Sequence, residues 1–317
     1  MAAPSFDILG FGAIAVDDLL YVDEYPSADS KVRVNRRARQ CGGLTGTALV
    51  AASRLGARCA YVGILGSDEL SRFVGESLDR EGVDLSHAPR RDNARPGHST
   101  IIVGTRPTTR TIFSSIDGDM GADPDFPDEQ LIGRAGALLI DHHGIEGNIR
   151  AARVARRFGV PVVADFERNP GGRFDELLLL VDHLIVSRRF AVELTGRETV
   201  EDAAGKLLEM VSRESESLPS GEGRVAVVTH GSEGCWYCES SRGGASHYPA
   251  PNVEAVDTTG CGDVFHGAYA ASLAWGEPLR RRIEFATVAA ALKATKPGGQ
   301  DGCPTRATVD EFLDKSR

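Results

Sequence analysis

The sequence predicts an α/β fold: a mostly parallel sheet covered by helices, with a small second β-sheet attached. Three observations lead there. Short aliphatic or β-branched runs at 7–9, 59–62, 137–140, 160–164, 183–186 and 225–229 have the length and composition of strands buried on both faces. Stretches with an apolar stripe at helical spacing lie between them, at 45–55, 67–81, 149–158 and 265–273, which is the alternation that builds βαβ units. Two segments break that rhythm. Residues 18–25, and 99–104 followed by 109–113, alternate with a period near two, as half-exposed antiparallel strands of an accessory sheet would.

The chain of 317 residues reads as one large domain, without internal repeats or low-complexity tracts. The one linker-like stretch, 212–223, is expected to be a surface loop within the same alternation. With 36 Lys+Arg against 45 Asp+Glu, the net charge of −9 repels phosphate backbones and anionic headgroups. The basic runs 153–157 and 280–282 fall in amphipathic helical patterns, so they are expected to be solvated helix faces, and neither a nucleic acid nor a membrane is an expected partner. No apolar run approaches the ~18–20 residues of a membrane span, and residues 1–6 lack a signal-peptide pattern, so a cytoplasmic location is expected.

In that compartment the six cysteines are expected to be thiols. Cys235 and Cys238 have C-x-x-C spacing but lie in an apparent strand without a second pair or a histidine at finger spacing, so they read as structural. The 36 glycines exceed the ~7% average and ask for tight turns or close backbone approaches.

Gly10-Phe-Gly12-Ala-Ile-Ala15 has the spacing of a dinucleotide fingerprint, but β-patterned residues follow it where a helix should begin. Gly205-Lys206 is followed by Leu207 rather than Ser or Thr, so it is no phosphate-binding P-loop. The stretch from Cys41 to Ala48 carries paired glycines, Gly42 and Gly43, with Thr47 at a helix start; it is either a simple strand-to-helix turn or a place where a ligand meets exposed amides. The run from Asp257 through Thr258, Thr259, Gly260, Cys261 and Gly262 to Asp263 is the most informative. Free N–H groups at a helix start can hold a developing negative charge, and the adjacent carboxylate can take a proton, which suits phosphoryl transfer to a hydroxyl. An ordinary acidic residue capping a helix would look the same.

Together, DTTGCGDVFHGA and the upstream CGGLTGTALVAASRLGA resemble the two signatures of the ribokinase-like (PfkB) carbohydrate kinases. The similarity runs from the Gly12–Asp17 pattern to the 296–304 stretch, and within the family it leans toward kinases of ketose-type sugars, ketohexokinase and sulfofructose kinase. The resemblance implies a three-layer α/β/α core with a β lid inserted from about 13–40 and 97–118, and dimerisation through that lid. It implies ATP and Mg²⁺ as cofactors and a small sugar as acceptor. By position, Asp263 is similar to the catalytic base, and the amides of Gly260, Cys261 and Gly262 to the anion hole. Asp17, Gly42, Gly43 and Thr47 match sugar-binding positions, while Thr229, Gly231 and Gly234 match the nucleotide turn and Lys293 to Gly299 the adenine border. Asp257 and Thr259 match places that hold K⁺ in relatives.

Where many relatives have Asn-x-x-Glu, this chain has Ser187-Arg188-Arg189-Phe190, so Ser187 is expected near nucleotide without the usual metal-associated ends. Cys261 at a helix start is expected to have a lowered pKa and to react with alkylating reagents. In Asp141-His142-His143-Gly144, His142 is the expected hydrogen-bonding partner of substrate, and the loop offers no Arg or Lys for a substrate sulfonate or phosphate. Arg106 and Arg110 of the lid are expected to be solvated. The competing readings are a nucleoside kinase of the same superfamily, which would want aromatic stacking, and a catalytically silent sugar-binding module.

Overall fold

The computed structural model describes residues 4–106, 108–212 and 223–315. In chain order, the elements of the first half are β1 (Phe6–Phe11), β2 (Ala15–Val22), β3 (Arg36–Gly42), α1 (Leu44–Arg54), β4 (Cys59–Tyr61), α2 (Glu69–Arg80), β5 (Gly97–Thr105), β6 (Thr108–Ser115), α3 (Glu129–Ile132), β7 (Ala135–Asp141) and α4 (Ile145–Phe158). The second half contributes β8 (Val162–Asp165), α5 (Phe174–Leu179), β9 (His183–Ser187), α6 (Arg188–Thr195), α7 (Val200–Val211), β10 (Val225–Thr229), β11 (Cys235–Glu239), β12 (Arg242–Tyr248), α8 (Cys261–Ala274), α9 (Leu279–Ala294) and α10 (Arg306–Lys315).

Eight strands form the main sheet in the order β12-β11-β10-β9-β8-β7-β1-β4. The pairs from β10 to β4 are parallel, and the antiparallel hairpin β11–β12 closes one edge. All six runs read as core strands fall on this sheet, because their apolar residues serve both faces. In β1, Ile8 packs into one cluster with α1, α2, α8, α9 and α10, whereas Leu9 and Phe11 pack into the other with α4 to α7. The result is a three-layer α/β/α core. Cys235 and Cys238 belong to opposite clusters, so the C-x-x-C thiols face away from each other across the sheet.

The second sheet has the order β3-β2-β5-β6. Its pairing corrects the expectation of purely antiparallel strands: β2 and β5 are parallel, because α1, β4 and α2 intervene between them and return the chain in the same direction. The edge strand β3 was not legible as a strand, since its exposed Arg36 and Arg37 break the apolar alternation. Most of the linker-like stretch, residues 213–222, lies outside the described residues. Among the described residues, no helix is long and apolar enough to cross a membrane.

The helix α8 is buried from Val264 to Leu273, packed against α1 and α9. Its contact with α1 is so close that a Cβ on Gly267 would stand 2.1 Å from the Ala48 carbonyl oxygen. The same approach brings the two glycine-rich stretches of the sequence together at the mouth of the core.

Candidate active site

Gly260 adopts φ 78° at the start of α8, and no side chain caps the helix. This left-handed turn, open to glycine at little cost, leaves the first N–H groups of α8 without intrahelical acceptors, the first such bond running from Val264 N to Gly260 O at 2.9 Å. The helix dipole adds to their attraction for negative charge. A Cβ on Gly260 would lie 3.3 Å from Gly299 Cα and 3.4 Å from Thr47 Cγ2, so residues far apart in sequence converge here. From the second sheet, Arg110, exposed as expected, also donates a hydrogen bond to Thr259 Oγ1 at the helix start.

Asp263, half-buried in the first turn of α8, has its pKa raised well above the carboxylate range, first by burial and then by the charges of Asp165, Glu167, Asp141 and Asp17. Asp165, at the end of β8, is buried, and its Oδ2 has no hydrogen-bond partner among the described residues, although His266 Nδ1 stands 3.3 Å away. Asp165 and Glu167 were missed in the sequence. Their signal is an acidic pair at the carboxyl end of a parallel strand, where α/β sheets gather ligands. Burial also raises Asp141, to about 7; it accepts from Ala13 N at 2.5 Å, His143 N at 2.8 Å and Thr45 Oγ1 at 3.0 Å. Its carboxylate thereby fixes the turn between β1 and β2 against the start of α1.

On the β2–β3 side, a Cβ on Gly42 would meet Asp17 Oδ2 at 2.7 Å, so Asp17 and the Gly42-Gly43 pair form one polar corner. Burial raises the Asp17 pKa, partly offset by a hydrogen bond from Ser99. His142 is buried and its Nδ1 lacks a partner among the described residues; burial, with the charges of His143 and Arg168, lowers its pKa to about 3, so the imidazole is neutral.

Opposite this corner lies a cleft of about 420 Å³, walled by Ala290, Ala291 and Ala294 of α9, the 250–255 segment, and Thr229, Gly231 and Gly234. Thr258, Cys261 and Gly262 close its inner end. Three residues expected at the nucleotide are not among those lining this cleft, although Ser187 pairs in register with Thr229, which is. Ser187 caps α6, its Oγ accepting from Phe190 N at 3.4 Å; Gly299 packs against Gly260 behind the cleft; and Lys293 is fully buried, its Nζ donating to the Asp257 carbonyl oxygen at 2.7 Å. At Asp257 and Thr259, where K⁺ is expected, the structure shows a turn already bonded to protein groups. Both Asp257 oxygens accept backbone amides, from Thr259 N at 2.8 Å and Gly298 N at 2.9 Å, and the ammonium of Lys293 already sits on the turn.

The thiol of Cys261 is also corrected. Burial outweighs the helix start and the nearby Lys293 charge, pushing its pKa up to about 11. Cys261 is the one cysteine that is not fully buried. Alkylation by iodoacetamide is therefore expected to be slow near neutrality and to quicken about tenfold per pH unit up to that pKa, since the thiolate is the nucleophile. A rate that levels off below pH 8, followed by mass spectrometry at Cys261, would contradict this.

The model of the pfkB family carbohydrate kinases matches residues 6–306. The ribokinase of Haemophilus influenzae is 26% identical over 313 residues, covering 96% of this chain and 97% of that protein. Fructokinase-1 of Zea mays is 27% identical over 340 residues, covering 100% of both. The crystal structure of ribokinase from Thermotoga maritima superposes with a TM-score of 0.82 at 25% identity, covering 98% of this chain and 99% of that one.

Proposed function

Because the chain belongs to the pfkB family of carbohydrate kinases, phosphotransferases with an alcohol group as acceptor, we propose that it transfers the γ-phosphoryl group of ATP to a hydroxyl of a small ketose or ketose derivative. The observation that carries this reading is Asp263 beside the uncapped start of α8, with the 420 Å³ cleft reaching that helix start and the Asp17–Gly42–Gly43 corner brought near by the packing of α1. Nucleotide in the cleft would place its terminal phosphate at the α8 amides, and sugar in the corner would offer a hydroxyl to Asp263.

In this mechanism Asp263 takes the hydroxyl proton as the oxygen attacks phosphorus, while the amides of Gly260, Cys261 and Gly262 and the guanidinium of Arg110 receive the charge on the transferring group. The surrounding carboxylates make Asp263 a stronger base than an isolated aspartate. The buried, unpartnered Asp165 Oδ2, together with Glu167, is a donor set that fits Mg²⁺ with waters and nucleotide phosphates completing its shell. When bound, that ion would supply neutralisation of phosphate charge. The second sheet acts as the lid that excludes water, which would otherwise accept the phosphoryl group.

The ketose preference is supported by the 258–268 motif and by the fructokinase relative. ADP release from Mg·ATP across ketoses, aldoses, sugar acids, sulfofructose and nucleosides tests the reading. Turnover on a ketose is expected; turnover on nucleosides alone, or sugar binding without turnover, would overturn it.

The lid also serves as the surface of a homodimer in this reading. Ile112, Phe113 and Ile116 are 51%, 54% and 51% exposed on and just after β6, and covering them would remove apolar area from water. Light scattering is expected to give twice the chain mass, and Phe113→Lys to shift it toward one; a monomeric wild-type chain would refute the dimer.

A further inference from the structure

Lys293 lies in the last turn of α9 and is 0% exposed. A buried ammonium is costly unless it is paired or coordinated, and this one meets the negative end of the α9 dipole and the Asp257 carbonyl oxygen at 2.7 Å. The Asp257 side chain accepts the Thr259 and Gly298 amides, and the Ala294 carbonyl accepts Val256 N at 2.8 Å and Asp257 N at 3.0 Å. The whole turn before Gly260 is therefore stapled to the end of α9, with the lysine at its centre. Buried Gly302 makes room for it: a Cβ there would stand 3.1 Å from Lys293 Cε and 3.1 Å from Gly298 O.

We propose that Lys293 is a tethered monovalent cation, a positioning residue whose ammonium holds the 257–260 turn so that the α8 amides face the phosphoryl group, and that the enzyme consequently needs no K⁺. The Asp257 carbonyl oxygen, beside that residue's own carboxylate, is a place that would suit a small cation, and the compact charge of a lysine fills it from within. The charge is felt across the turn. Burial works to raise the Asp257 pKa, yet the Thr259 and Gly298 amides and Lys293 together lower it. The same charge opposes the burial that raises Cys261.

The proposal rests on the kinase reading, so its test has two arms. ADP binding by calorimetry needs no acceptor sugar; turnover on the sugar found active reads the same dependence in catalysis. For the wild-type chain, affinity and turnover in K⁺ and in choline at equal ionic strength are expected to agree within about twofold, and a saturable K⁺ activation of about fivefold or more, the scale of an ordinary coupling between sites, would overturn the proposal. Lys293→Ala, which vacates the charge, is expected to lose turnover and to regain about tenfold on adding K⁺ or NH₄⁺, a rescue that a merely structural lysine would not show. Should Lys293→Ala fail to fold, Lys293→Gln replaces it, and unchanged turnover in that variant would overturn the positioning role. Absence of ADP binding in any salt would instead sink the kinase reading.

Discussion

Asp263→Asn is expected to lower kcat by about 10²–10⁴-fold while leaving ADP affinity within about twofold, since general-base removal acts on the chemical step. Asparagine keeps the volume and one acceptor oxygen but cannot take the hydroxyl proton. The wild-type pH profile carries the same signature. Burial and the neighbouring carboxylates raise the Asp263 pKa, so its base form is lost as pH falls through a value above the ordinary carboxylate range, and kcat should fall there rather than near pH 4. In Asp263→Asn the residual rate should not follow that limb. Residual activity above about one-tenth of wild type would be too much for a lost base. An acid limb that persists unchanged would move the role to another group.

Gly267→Ala is expected to destabilise the chain by about 3 kcal/mol or more, the upper range of overpacking in a close-packed core. The added methyl would stand 2.1 Å from the Ala48 carbonyl oxygen, a backbone atom that cannot rotate aside, so α1 and α8 must separate. A fall in Tm on the order of 5–10 °C should accompany it. Because α1 carries Thr47 and α8 carries Asp263, the surviving folded fraction should also turn over more slowly. Gly205→Ala is the control: nothing lies within 4 Å of its added Cβ, and it sits inside α7. Helix propensity alone should make that variant more stable by about 0.5–1 kcal/mol. Equal Tm changes of the same sign in both variants would refute the packing argument.

The parallel core was readable because its strands are continuous apolar runs whose residues pack on both faces, as Ile8, Leu9 and Phe11 do in β1. The charged β3 escaped, because a strand exposing Arg36 and Arg37 carries no alternation to detect. At the site, the glycine-rich starts of α1 and α8 were visible as motifs, since backbone demands select residue types locally. The properties set by burial were not. The helix start argues for an acidic Cys261, and only packing shows that desolvation wins. Lys293, the next-to-last residue of α9, gives no local sign that its amine turns inward to Asp257 rather than outward to solvent. Asp165 and Glu167 reach Asp263 through the sheet order, which places β8 beside β9 and over α8, a relation no linear spacing records.

The most direct measurement is the fate of the γ-phosphoryl group. With labelled ATP, Mg²⁺ and the active ketose, the label is expected on the sugar in the wild-type chain and to stay on ATP in Asp263→Asn over the same interval. Label recovered only as inorganic phosphate, or equal transfer to sugar by both proteins, would contradict the assignment of Asp263 and the α8 amides as a phosphotransfer site.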